Sequence, residues 1–172
     1  TSPLLSVSSS TFEIFPRAVA LTIDTPPVGN VLPYASLSQQ PVVSIRDVFG
    51  DVCATGPHRL LNVAMTPDAG AASGAASVAA SNGVATFATL GIDRGGQFTL
   101  TASVASPPLT ASHGGVIIFG VATHLSFCTQ PVGNVLYGTP LSTLPVLEIR
   151  DDNGDRIVAV DQFADIFETV VA

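Results

Sequence analysis

The stretch PVGNVL occupies residues 27–32 and returns unchanged at residues 131–136. Set against itself in that register, a shift of 104 positions, the sequence gives fifteen identities over positions 27–51 without a gap. Leu37-Ser38 falls on Leu141-Ser142, Pro41-Val42 on Pro145-Val146, Ile45-Arg46-Asp47 on Ile149-Arg150-Asp151, and Gly50-Asp51 on Gly154-Asp155. Upstream, Leu21 meets Leu125, Ile14-Phe15 meets Ile118-Phe119, and Leu5 meets Leu109. A period this long is domain-sized, beyond the roughly 20–50 residues of solenoid repeats. The register divides the chain into residues 1–16, the end of one repeat; 17–120, a complete repeat; and 121–172, the first part of another. The expectation is a window cut from a tandem array.

The complete repeat reads as short strands separated by turn signals. Residues 20–24 alternate, with Leu21 and Ile23 on one face. Residues 41–47 do the same: Val43 and Ile45 face inward, and Val42, Ser44 and Arg46 outward. In the second copy Leu147 and Ile149 take the inward places and Glu148 and Arg150 the outward ones. Residues 60–66 form a third strand. Asn82-Gly83, between 77–80 and 84–89, is a strong hairpin signal, because both residues tolerate positive φ. Residues 97–104 place Phe98, Leu100, Ala102 and Val104 against Thr99, Thr101 and Ser103. Residues 109–119 give a last strand, interrupted at Gly114-Gly115. The Ala-rich run 69–76 reads as a loop, since its glycines and serines break any helical pattern. About seven strands in about 100 residues is the count of an immunoglobulin-like antiparallel β-sandwich. The fold class expected is all-β, with one complete sandwich and an incomplete second one.

The order of these signals resembles the Ig-like repeats of large secreted and cell-surface proteins, including bacterial Ig-like and invasin-type arrays. The residues that carry the resemblance are 127–131 (FCTQP), 146–154 (VLEIRDDNG), 82–87 (NGVATF) and 98–103 (FTLTAS). It implies an extracellular, multi-domain setting with a structural or adhesive role, and it brings no catalytic residues. The departure is in the second copy, which runs through about three strands without the hairpin or the FTLT strand.

Half a sandwich leaves apolar surface and open sheet edges. Residues 1–16 are, in the repeat register, a last strand without its domain. The two defects are complementary, so the expected partner is a second copy of the chain, joined head-to-tail into a homopolymer by strand addition. Leu4, Leu5, Val7, Phe12, Ile14 and Phe15 would be the donated residues. Leu125, Phe127, Leu147 and Ile149 would receive them. Phe163 and Phe167, in the divergent stretch 156–172, would supply replacement strands or a contact surface. The alternatives are a fragment of a longer tandem protein, or an adhesive or carbohydrate-binding module. A sugar-binding module calls for exposed aromatic residues, and the chain has no Trp and only Tyr34 and Tyr137.

Composition bounds the partners. All six basic residues are Arg, and the formal net charge is −7. No basic patch is available to attract nucleic acid or an anionic membrane surface. No apolar run reaches the roughly 18 residues of a membrane span. Low charge, no Lys and abundant Ser, Thr and Pro fit an extracellular or cell-surface protein.

The remaining chemistry is sparse. Asp151, Asp152 and Asp155 cluster around Gly154 as in a calcium loop. The equivalent stretch 47–51 (DVFGD) has fewer carboxylates, and a polar turn at the strand's end explains both copies. No other cofactor is implied. Cys53 aligns with Ile157 and Cys128 with Asp24, so neither belongs to a repeated intradomain bridge. They are candidates for a disulfide between repeats or between molecules, or else two small buried thiols. His58, His113 and His124 fall in no Gly-x-Ser-x-Gly, His-Glu-x-x-His or phosphate-loop context, and no enzymatic function is expected. Hydroxyls beside Pro or in Ser/Thr runs, at Thr1, Ser2, Ser8, Ser9, Ser10, Thr11, Thr25 and Ser106, are candidates for O-linked glycans.

Overall fold

A computed structural model describes residues 8, 10–133 and 135–157 of the chain. Two antiparallel sheets form the framework of residues 20–118. One has the order β1 (Ala20–Thr25), β2 (Val42–Arg46), β6 (Val84–Thr86). The other has the order β5 (Ser77–Ala79), β3 (Asn62–Pro67), β8 (Gly96–Val104), β9 (Leu109–Ile118). Two-residue strands β4 (Ala72–Ser73) and β7 (Gly91–Ile92) pair with each other, and a 3-10 turn spans Pro57–Leu60. A further two-stranded sheet joins β10 (His124–Thr129) to β11 (Val146–Arg150). No α-helix occurs among the described residues. The fold is all-β and sandwich-like.

Alternation with period two builds the core. Phe98, Leu100, Ala102 and Val104 of β8, Val63 and Met65 of β3, and Val116 and Ile118 of β9 come from one sheet. Leu21, Val43, Ile45 and Ala85 come from the other. All belong to one buried cluster, which Phe87, Leu90 and Ile92 extend. The expected break in the last strand is a bulge. Phe98 pairs with Val116 and Leu100 with His113, so Gly114 and Gly115 stand opposite Thr99 alone, with Gly115 at φ 81°.

Two expectations need correction. Asn82 and Gly83 do form a tight turn, at φ 49° and 78°, closed by Ser81 and Val84. The strands on either side do not pair as a hairpin: β5 bonds to β3 and β6 to β2, so the turn carries the chain from one sheet to the other. Long-range ladders on both flanks override the local signal. The third strand starts at Asn62, because Pro57 opens a 3-10 turn through Leu60. Ser44 keeps its expected place on the outer face, paired with Thr22, but it is buried there, hydrogen-bonded to the Asp24 carboxylate.

The segment PVGNVL has a defined place. It leaves β1 and runs parallel to the end of β9: Asn30 N–H donates to the Ile117 carbonyl (2.6 Å) and Phe119 N–H to the Val31 carbonyl (2.8 Å). A Cβ at Gly29 would sit 1.9 Å from the Ile117 oxygen, so only glycine permits this approach.

Candidate functional site

The β10–β11 pair copies β1–β2 in hydrogen-bonded detail, 104 residues on. Leu21↔Ile45 and Ile23↔Val43 become Leu125↔Ile149 and Phe127↔Leu147, with the same register shift just beyond. The turn that follows is also the same. Asp47 Oδ1 accepts from the backbone N–H of Phe49 and Asp51, and Asp151 Oδ1 from that of Asn153 and Asp155. Arg46 donates to the Gly50 carbonyl and Arg150 to the Gly154 carbonyl. The Ser38 hydroxyl reaches the Val28 carbonyl, and that of Ser142 the Val132 carbonyl.

Burial is where the two copies part. Leu21 is 6% exposed and Leu125 63%; Val43 is fully buried and Leu147 is 50% exposed. Phe127 is exposed too, and Ile149 is half-buried where Ile45 is fully enclosed. In the first copy the second sheet covers these side chains. Among the described residues no second sheet covers β10–β11.

The N-terminal segment shows the converse. Positions 12 and 14 correspond to Val116 and Ile118 of β9, which are 1% and 0% exposed. Phe12 and Ile14 are 78% and 84% exposed, and residues 10–19 lie in no strand. Phe15, about half exposed, lines a shallow hollow with Thr55, Gly56, Pro57 and Leu60. Ala18 N–H then donates to His58 Nδ1 (2.8 Å), which fixes the approach to β1 and gives that histidine a structural role. Leu4, Leu5, Val7, Phe163 and Phe167 lie outside the described residues, as do Thr1, Ser2 and Ser9. Ser8, Ser10, Thr11 and Ser106 are exposed, and Thr25 is half-buried.

A charge network on the outer face was missed in the sequence. Asp24 accepts from Ser44, from Thr22 (3.0 Å) and from Arg46 (3.0 Å). Burial alone pushes the Asp24 carboxyl up, but those hydrogen bonds outweigh it and hold its pKa below the usual value. In the second copy the carboxylate changes strand. Cys128 stands at the place of Asp24 and Glu148 at that of Ser44. A hydrogen bond from Cys128, and then Arg150 at 2.8 Å, keep the Glu148 pKa low. The signal that could have found this was the pair of mismatches in the self-alignment, read together.

Both cysteines are free thiols. Cys53 belongs to the buried core, while Cys128 is exposed on β10. Two of the three aspartates of the candidate calcium loop are engaged otherwise: Asp151 shapes the turn, and Asp155 accepts from Arg94 Nε at 3.0 Å. That ion pair ties the segment before β8 to the turn after β11. Among the described residues, no three His, Cys, Asp or Glu side chains gather to hold a metal ion. Nor is any helix there long and apolar enough to cross a membrane. Comparison with protein-family models, curated proteins and solved structures returned no match.

Proposed function

We propose that the chain is a structural subunit of an extracellular filament, built from Ig-like units and assembled head-to-tail. The segment around Phe12, Ile14 and Phe15 of one copy adds to the uncovered β10–β11 face of the next. One observation carries this reading: residues that are buried at equivalent positions in the same chain are exposed here on both sides. Val116 and Ile118 match Phe12 and Ile14, while Leu21 and Val43 match Leu125 and Leu147.

Magnitudes decide how the contact must work. Burying one large apolar side chain stabilises by about 1.5–3 kcal/mol. Association costs about 4–15 kcal/mol in lost freedom of motion. A single anchor therefore cannot hold two copies, whereas several anchors with a strand ladder can. The contact joins different surfaces, so it propagates into a filament unless rotation closes a ring.

Electron microscopy and sedimentation of the full chain, unmodified and as Ile14→Asp, test the proposal. Filaments from the first and monomers from the second, with equal Tm, are the expected pair of results. Monomers at high concentration in both, or filaments in both, would overturn it.

A further inference from the structure

We infer that the added segment enters in parallel and in one register, so that Phe15 of one copy donates its N–H to the Val135 carbonyl of the next. This inference rests on the head-to-tail reading and specifies its geometry. The template is inside the chain. Phe119 N–H donates to the Val31 carbonyl, and Val31 bridges Ile118 in parallel. Both halves of that template recur at the two exposed places: Ile14-Phe15 repeats Ile118-Phe119, and residues 131–136 repeat 27–32.

Glycine supplies an independent argument. Gly29 is required because the Ile117 carbonyl passes over it, 1.9 Å from where a Cβ would stand. Gly133 occupies the same place in the second PVGNVL, yet a Cβ there would meet nothing closer than 3.3 Å, at Ser142. Its neighbours belong to the chain's own turn, and among the described residues no backbone carbonyl passes over Gly133 as Ile117 passes over Gly29. In the register above, the Glu13 carbonyl passes over Gly133 just as Ile117 passes over Gly29. Val135 and Leu136, which follow Gly133 in the motif, are exposed.

The same register brings Ile14 to the place of Ile118 and Phe12 to that of Val116, both inward positions. Alternation along a strand makes this exacting, since a slip of one residue would turn both side chains outward. Head-to-tail addition gives every subunit the same direction along the fibre, so the two ends of the filament differ.

Cysteine trapping tests the register. The full chain carries Cys128→Ser together with Ile14→Cys and Val135→Cys, the counterparts of the bridged pair Ile118 and Val31. Mild oxidation is expected to give a ladder of disulfide-linked oligomers on non-reducing gels, with no ladder from either single cysteine. Filaments without a ladder, together with efficient trapping by Phe12→Cys and Val135→Cys, would overturn the register and leave head-to-tail assembly standing. A disulfide-closed monomer, or neither filaments nor ladder, would overturn both.

Discussion

Gly29 lies so close to Ile117 that a Cβ at residue 29 would stand 1.9 Å from the Ile117 carbonyl oxygen. Gly29→Ala should therefore force β9 away from the PVGNVL segment, at a cost of roughly 1–3 kcal/mol, typical of overpacking. Gly133→Ala in the dispersed chain should cost less, because its nearest neighbours at 3.3 Å need give only a few tenths of an ångström, and the backbone strain at φ 159° is small beside a 1.9 Å clash. Urea titration of both variants measures the difference. Equal losses would mean that the two glycines are kept for the same local turn.

Leu21 and Leu125 form a second natural pair. Leu21→Ala empties a site in a closed core, where such truncations cost about 2–5 kcal/mol. Leu125→Ala removes an exposed side chain and should change the stability of the dispersed chain by no more than about 0.5 kcal/mol. In filaments the second substitution should become costly, seen as a raised critical concentration. A Leu125→Ala variant that unfolds early as a monomer would show that β10 is already covered.

Acid should weaken the β1–β2 pair through Asp24. Its folded pKa lies below the usual value, so its stabilisation is present above that value and disappears as pH falls through the folded one. The carboxylate is 36% exposed, so solvent screening limits the effect to about 0.2–1 kcal/mol. Asp24→Asn should flatten the drop in Tm between neutral pH and strong acid. An unchanged slope would place the acid sensitivity elsewhere.

The two thiols should behave differently toward an alkylating or disulfide-exchange reagent. Burial, with the nearby Asp47 charge, pushes the Cys53 thiol up, which disfavours its reactive thiolate. Cys128 is exposed and should react in the native chain, with Cys53 following only in denaturant. Rapid labelling of both would show that the core around Cys53 opens readily.

Tyr34 holds φ at 64°, a left-handed conformation that is costly for a bulky residue, and Gly138 holds the equivalent place at φ 84°. Tyr34 is largely exposed, so its ring loses little burial on removal. Tyr34→Gly should relieve about 1 kcal/mol of backbone strain and raise Tm. A fall in Tm would show that the ring contributes packing that outweighs the strain.

The strands were legible wherever one face is buried and the other solvated. The alternation from Phe98 to Val104 marked β8 for that reason, and Gly114-Gly115 marked its partner's bulge. Sheet partners were not legible. Asn82-Gly83 signals a tight turn, but nothing local says that Ala80 N–H is committed to the Leu61 carbonyl and Ile45 N–H to the Gly83 carbonyl. Ser44 escaped because its partner, Asp24, lies 20 residues back on a neighbouring strand. At the candidate site, the apolar identities of Leu125, Phe127 and Leu147 were readable in sequence. Their exposure depends on what packs above them, and that is a property of the assembled sheets.

The change of strand by one carboxylate bears on how two strand pairs of the same register avoid folding into each other. Adjacent units this similar are prone to exchange strands while both are unfolded. A mongrel sheet of β1 with β11 would bring Asp24 and Glu148 together with Arg150 as their one shared cation and no Ser44 or Cys128 to donate between them. The other mongrel, β10 with β2, would leave Arg46 beside Cys128 and Ser44 and no acid. One cross-pairing sets two carboxylates against a single arginine, and the other leaves an arginine without an acid. Each strand thus carries a mark of its proper partner on the face that solvent sees, while the buried face stays interchangeable.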